Sequence, residues 1–265
     1  MLVGYIQLDP IFGEKEKNIQ RSLKLLEAGA NLGADLIVLP ELFNTGYVFR
    51  NGKELEKMSE RVPDGITSRA LMYSAEENGL YICAGICESH RYNFYNSALL
   101  VGPSGPLGLY RKTHLFGQEK LWFKPGNTGF RVFSLNGAKV GIIICFDWFF
   151  PESIRTLALR DAEVMCHPAN LMLPYCQTAM LGTAIENRVF IITANRIGTE
   201  RGIRFTGRSQ IIGPDMRVLA SSGLREDLKV IEIDPADARN KNITKRNNIF
   251  KDRRPRFYSP ICSNA

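Results

Sequence analysis

Cys145 closes a run of β-branched residues, Gly141-Ile142-Ile143-Ile144-Cys145, and Pro151-Glu152 then opens a helix-like segment, Ser153 to Asp161. A thiol at a strand-to-helix turn is held at the edge of a sheet, beside backbone N–H groups. That is where a nucleophile is needed. A small cysteine packed in the core would give the same local pattern. Two further segments end in a similar way. Asp35-Leu36-Ile37-Val38-Leu39 is an apolar strand closed by Pro40-Glu41, and the proline stops the ladder so that Glu41 falls at the strand's C-terminal end. The short apolar segment from Leu107 leads to Lys112, just before the apolar pair Leu115-Phe116. Singly, Glu41 and Lys112 read as solvated charges. A charge wedged in an apolar run is less easily dismissed, because unpaired buried charge is expensive. A carboxylate, an ammonium and a thiol therefore recur at strand ends.

These segments occur in a recognisable order. Leu39-Pro40-Glu41-Leu42, Tyr110-Arg111-Lys112-Thr113-His114-Leu115 and Cys145-Phe146-Asp147-Trp148-Phe149-Phe150-Pro151-Glu152 resemble the glutamate, lysine and cysteine motifs of the nitrilase superfamily of carbon–nitrogen hydrolases. Phe123-Lys124-Pro125-Gly126-Asn127 matches that family's Pro-Gly segment. His167-Pro168-Ala169-Asn170, Glu186-Asn187-Arg188 and Ala194-Asn195-Arg196 also fit it. The resemblance runs from the first strand to about Phe257. The Asp147-Trp148-Phe149-Phe150-Pro151 run is similar to a small archaeal and bacterial nitrilase–amidase group within it.

The chemistry asks for these residue types. Only a thiolate attacks an amide or nitrile carbon, and a free cysteine, with a pKa of roughly 8.5, is mostly protonated at neutral pH. Glu41 is placed to take the thiol proton and later to activate water. Lys112 is placed to stabilise the developing negative charge, with the backbone N–H of Phe146 as second donor of an oxyanion hole. Pro151 restricts how that turn can close. By resemblance, Glu119, seven residues beyond Lys112, positions the substrate nitrogen or the attacking water; read alone, it is a loop carboxylate paired with Lys120. Tyr47, Trp148, Phe149 and Asn170 flank the motifs and are candidate pocket walls, or ordinary core. An amide would pass through a thioester, and a nitrile through a thioimidate with two waters consumed. The expected activity is a small-amide hydrolase, with a nitrilase as the alternative. A catalytically silent binding subunit would be free to lose Cys145. The resemblance implies no cofactor and no metal.

Two departures bear on substrate. The residues after Cys145 are strongly aromatic, and no arginine stands among the first of them, Arg155 being further on. Family members that recognise a carboxylate often carry an arginine there, so a small neutral substrate is expected.

Other chemistries fit less well. The histidines His90, His114 and His167 lack zinc-like pairing to cysteine, although a papain-like pair of Cys145 with His114 or His167 is conceivable. Cys83 and Cys87 share parity on one strand, which favours core packing over a thiol redox pair. The net charge of +7, from 34 Lys and Arg against 27 Asp and Glu, is partly gathered late, at Lys245, Arg246, Lys251, Arg253, Arg254 and Arg256. No nucleic-acid motif surrounds these residues, so they read as a C-terminal arm from about residue 245, lying over the protein or a partner subunit. No apolar run reaches the roughly 18 to 20 residues of a membrane span. The N-terminus lacks the features of a signal peptide, so a cytoplasmic protein is expected.

The elements that must position these residues follow from periodicity. Strands are predicted at 2–9, 35–39, 80–88, 95–101, 139–145, 163–167, 189–195, 208–213 and 229–233, and helices at 14–33, 67–79, 151–162 and 175–188. Hairpin-like turns are predicted at residues 102–105 and 213–216. The expected fold is α/β, one domain over 1–265, with two packed sheets and helices outside. The resemblance implies a four-layer α-β-β-α sandwich. It also implies a homodimer or larger assembly through the helices bearing Ile154, Leu157, Ala158, Met180, Ala184 and Ile185, although these apolar residues could equally face the protomer's own core.

Overall fold

The computed structural model describes residues 1–262. Apolar strands, the central ones buried along almost their whole length, build two six-stranded sheets of similar plan. In the first, β1 (Leu2–Gln7), β2 (Leu36–Val38) and β3 (Tyr81–His90) run parallel, and β4 (Asn93–Gly102) and β5 (Gly105–Arg111) continue as antiparallel hairpins. In the second, β6 (Val132–Leu135) pairs antiparallel with β7 (Ala138–Ile142), and β7, β8 (Val164–Ala169) and β9 (Phe190–Asn195) run parallel. A two-stranded ribbon, β10 (Thr199–Glu200) with β11 (Ile203–Arg204), precedes β12 (Gln210–Ile212) and β13 (Val218–Ser221), which close the second sheet. The chain then returns to the first sheet as β14 (Asp227–Glu232), antiparallel to β1.

The helices lie outside. Ile6, Ile37, Ile82 and Ala84 of the first sheet pack against Leu26 of α1 (Lys15–Asn31) and Leu71 and Ala75 of a helix over Ile66–Asn78. The opposite face of that sheet meets the second: Val3, Tyr5, Val38, Cys83 and Ala98 share one core with Val140, Ile142, Cys166 and Ile192. Ile154 and Leu157 of the helix over Pro151–Leu159, and Met180 and Ala184 of the helix over Cys176–Asn187, cover the second sheet's outer side. This is the expected α-β-β-α sandwich. Short helices at Gly52–Met58, Glu119–Trp122 and Ala236–Arg239 fill the connections.

Every predicted strand and helix is present, with ends shifted by a few residues. β5, β6, β10, β11, β13 and the short helices at Gly52–Met58, Glu119–Trp122 and Ala236–Arg239 are additions. β6 and β13 are half exposed and lack the apolar run that marks a buried strand. Of the six apolar residues named on the two outer helices, all but Ile185 are buried inside the protomer, as the core reading has it, and they bind those helices to the sheet. From residue 246 to 262 the chain is mostly exposed, with Phe250 packed on the core beneath the Arg155 guanidinium, 5.5 Å from its ring centroid. Among the described residues, no helix is long and apolar enough to cross a membrane.

Candidate active site

Glu41, Lys112, Cys145 and Asn170 all follow the C-terminal ends of strands, β2, β5, β7 and β8 in turn. In open parallel sheets this is the edge at which ligands bind. Two glycines make the close approaches possible. A Cβ on Gly85 of β3 would strike the backbone of Pro40, Glu41 and Leu42. A Cβ on Gly126 would strike the Arg111 carbonyl, and the Gly126 N–H donates to Lys112 O at 2.8 Å. The Pro-Gly segment is thus a brace behind the lysine.

The structure brings the sequence-predicted charges together. Lys112 Nζ donates to Glu41 Oε1 at 2.6 Å and to Glu119 Oε1 at 2.7 Å, with all three side chains essentially without solvent contact. Asn96 Nδ2 donates to Glu41 Oε1 at 2.7 Å, and the Tyr47 hydroxyl to Glu119 Oε1 at 2.5 Å. Lys112, not Lys120, is therefore the partner of Glu119, which is the buried first residue of a short, otherwise mostly exposed helix rather than part of a solvated loop. Burial opposes the ammonium, but Glu119 and Glu41 outweigh it and hold the lysine pKa above its ordinary value. Burial raises Glu119 to about 7, with Lys112 pulling it down and Glu41 pushing it up. Burial followed by the neighbouring Glu119 raises the Tyr47 phenol well above its usual range, so it stays a donor.

Cys145 sits at φ +40°, a left-handed conformation that a residue with a Cβ holds only under constraint. It opens a 3-10 turn, Cys145–Phe149. His167 Nε2 bonds to the Cys145 carbonyl at 3.0 Å and Nδ1 to Thr193 Oγ1 at 3.0 Å. Asn170 Nδ2 donates to the Glu41 carbonyl at 2.9 Å, joining the two sheets' loops, while its backbone N–H is directed at the thiol. Burial first, then Glu41, raises the Cys145 pKa well above that of a free thiol; Lys112 opposes this, and Glu119 adds to it. The thiol is thus protonated at rest.

Neither histidine pairs with the thiol. His114 is bound to Asp147, and burial lowers His167 to about 4, so its ring is neutral. The papain-like alternative has no geometry here. Cys83 and Cys87 are both fully buried, as core packing requires, but they enter different clusters, Cys83 sharing the inter-sheet core with Cys166.

Beside Cys145 lies a cavity of about 50 Å³, bounded by Phe116, Phe146, Trp148, Phe149, Asn170 and the Leu171-Met172-Leu173 segment. Of the predicted walls, Trp148, Phe149 and Asn170 line it, whereas Tyr47 belongs to the charged cluster. Phe116, Met172 and Leu173 escaped sequence reasoning, since they lie in loops without periodicity. Asn96 escaped too, although a polar amide within the strand segment Tyr95-Asn96-Ser97-Ala98-Leu99-Leu100 was a signal that could have found it. Arg155 is structural, donating to the Glu186 carbonyl at 2.9 Å.

Residues 2–242 match the family model described as carbon-nitrogen hydrolase. The chain is 49% identical to a Pyrococcus abyssi protein named nitrilase, over 97% of this chain and 98% of that one. It is 34% identical to an (R)-stereoselective amidase of a Pseudomonas species, over 88% and 85%. A solved carbon-nitrogen hydrolase from Helicobacter pylori superposes with a TM-score of 0.90 at 25% identity, covering 100% of this chain and 98% of that one. The chain belongs to the carbon–nitrogen hydrolase family.

Proposed function

We propose that this carbon–nitrogen hydrolase cleaves a small uncharged amide through a thioester on Cys145, releasing ammonia or an amine and a carboxylic acid. One observation carries the choice of amide. Glu41 Oε2 and Glu119 Oε2, on the two carboxylates that share Lys112, are both buried without a hydrogen-bond partner. Two buried acceptors call for two donors. An amide –NH₂ brings two N–H groups, and a nitrile nitrogen brings none.

In the first step Glu41 takes the Sγ proton as general base while sulfur attacks the carbonyl carbon. A raised thiol pKa supports this order, since no standing thiolate is available until the base acts. The carbonyl oxygen becomes an oxyanion facing the Lys112 ammonium and the Phe146 N–H, which lies in the first turn of the 3-10 segment where N–H groups lack a helical partner. Glu41 returns the proton to the leaving nitrogen, and the C–N bond breaks. Water, deprotonated by Glu41, then attacks the thioester, and the acid leaves as the thiol regains its proton. Glu119 accepts from the amide nitrogen throughout.

The cavity supports a short acyl group. Its volume of about 50 Å³ is near one third of the roughly 150 Å³ that holds a benzene ring. No charged side chain lines it. A nitrilase is the second reading, favoured by the 49% identity to the Pyrococcus abyssi protein; attack would then give a thioimidate and consume two waters.

Ammonia release from acetamide, propionamide, benzamide, a carbamoyl amine and propionitrile, with Cys145→Ala alongside, tests the proposal. The expected result is release from the two aliphatic amides, lost in the variant. Release from the nitrile alone would transfer the protein to the second reading.

A further inference from the structure

Asp147 and His114 take no part in the steps above, yet they join the two motifs that carry Lys112 and Cys145. Asp147, fully buried, lies two residues after the nucleophile, and its carboxylate accepts four hydrogen bonds. Oδ2 takes the Tyr110 hydroxyl at 2.7 Å and the Ile144 N–H at 2.9 Å. Oδ1 takes the His114 N–H at 3.0 Å and the His114 ring at Nδ1, 2.7 Å away. An ionised carboxylate only accepts, so Nδ1 carries the hydrogen.

The sequence positions give this cluster its meaning. Tyr110 and His114 stand two residues before and after Lys112, and Ile144 immediately precedes Cys145. One carboxylate therefore ties the chain on both sides of the lysine to the strained turn that presents the sulfur. The His114 ring is itself held flat against Phe150, with centroids 3.7 Å apart and planes at 10°. Its side chain is one-quarter exposed, so it can be changed without opening the core.

We infer that His114 and Asp147 form a positioning pair whose ring–carboxylate hydrogen bond sets the placement of the Lys112 ammonium against Cys145. The inference rests on the amide-hydrolase proposal for its turnover readout, and a second readout is independent of it. His114→Leu removes the ring donor. His114→Asn keeps an N–H donor near the position of Nδ1 but loses the stack on Phe150, so the two variants separate hydrogen bond from stacking. Both are compared with wild type in the rate of Cys145 alkylation by iodoacetamide, located by peptide mass spectrometry, and in kcat and KM for propionamide. A misplacement of this kind predicts that His114→Leu loses about tenfold in alkylation rate and in kcat, with KM within about twofold, and that His114→Asn regains most of the loss. If wild type leaves propionamide untouched, the amide reading fails while the alkylation rates still decide the pairing. Wild-type alkylation in His114→Leu, or equal impairment in the two variants, would overturn the inference. Should His114→Leu not fold, His114→Gln, whose amide donor sits nearer the place of Nε2, replaces it in the same comparison.

Discussion

The surroundings of Cys145 are built on two opposite principles. On one side Lys112, Glu41, Glu119, Asn96 and Tyr47 form a buried network in which the lysine and one oxygen of each carboxylate are bound from two directions. On the other side Phe149 and Leu173 are about half exposed, and only packing holds them. Charges brought so close inside a protein can persist only if every partner is in place, because an unmatched buried charge costs several kcal/mol. Apolar walls carry no such condition and can change shape at little cost. On the proposed reading, the charged side sets the reaction type and the apolar side the choice of acyl group.

Removing the central cation is the strongest way to break that comparison. Lys112→Met leaves two carboxylates buried without their counter-ion, so it should cost about 3–5 kcal/mol in urea unfolding and reduce kcat by at least about a thousandfold. Adding Glu119→Gln should recover part of the stability but none of the rate. Survival of either property in the single variant would show that the network is less demanding than its geometry implies.

A pH series sharpens the same side. Below its ordinary value near 4.5, Glu119 holds its proton in both folded and unfolded chains; between there and about 7 only the folded chain holds it. Folding then takes up a proton, so this group's contribution to stability falls as pH rises through that window. The Tm of wild type relative to Glu119→Gln should therefore decline from about pH 5 to pH 7. A flat difference would place the proton elsewhere.

The smallest effect belongs to the wall. Phe149→Ala should leave stability within about 0.5 kcal/mol, as exposed positions do. It should lower kcat/KM for propionamide by less than about tenfold while raising it for longer aliphatic amides. A loss as large as that of Lys112→Met would mean that the wall takes part in the chemistry.

The same division governs what was legible in the sequence. Glu41, Lys112 and Cys145 could be read because each ends an apolar strand, and a polar residue there breaks a pattern. Glu119 became legible only through family resemblance, since its lysine partner is seven residues away and the nearer Lys120 is a decoy. Tyr47, a candidate for wall or core, stands in the network; a tyrosine in a loop shows neither its depth nor where its hydroxyl points. Phe116, Met172 and Leu173 were invisible for the same reason. The two-sheet core followed from strand periodicity, whereas β6 and β13 are too exposed to carry that signal. The outer helices' apolar residues could be read either as core or as an assembly face, because periodicity marks a buried face without saying what buries it.

The most direct test of a Cys145 thioester is the mass of the enzyme caught during turnover. Wild type and Cys145→Ala would be mixed with propionamide, quenched in acid and digested. The thioester route predicts one propionyl group on the peptide that bears Cys145 in wild type, with no ammonia and no adduct in the variant. Ammonia release by Cys145→Ala, or an acyl group on any other residue, would contradict it.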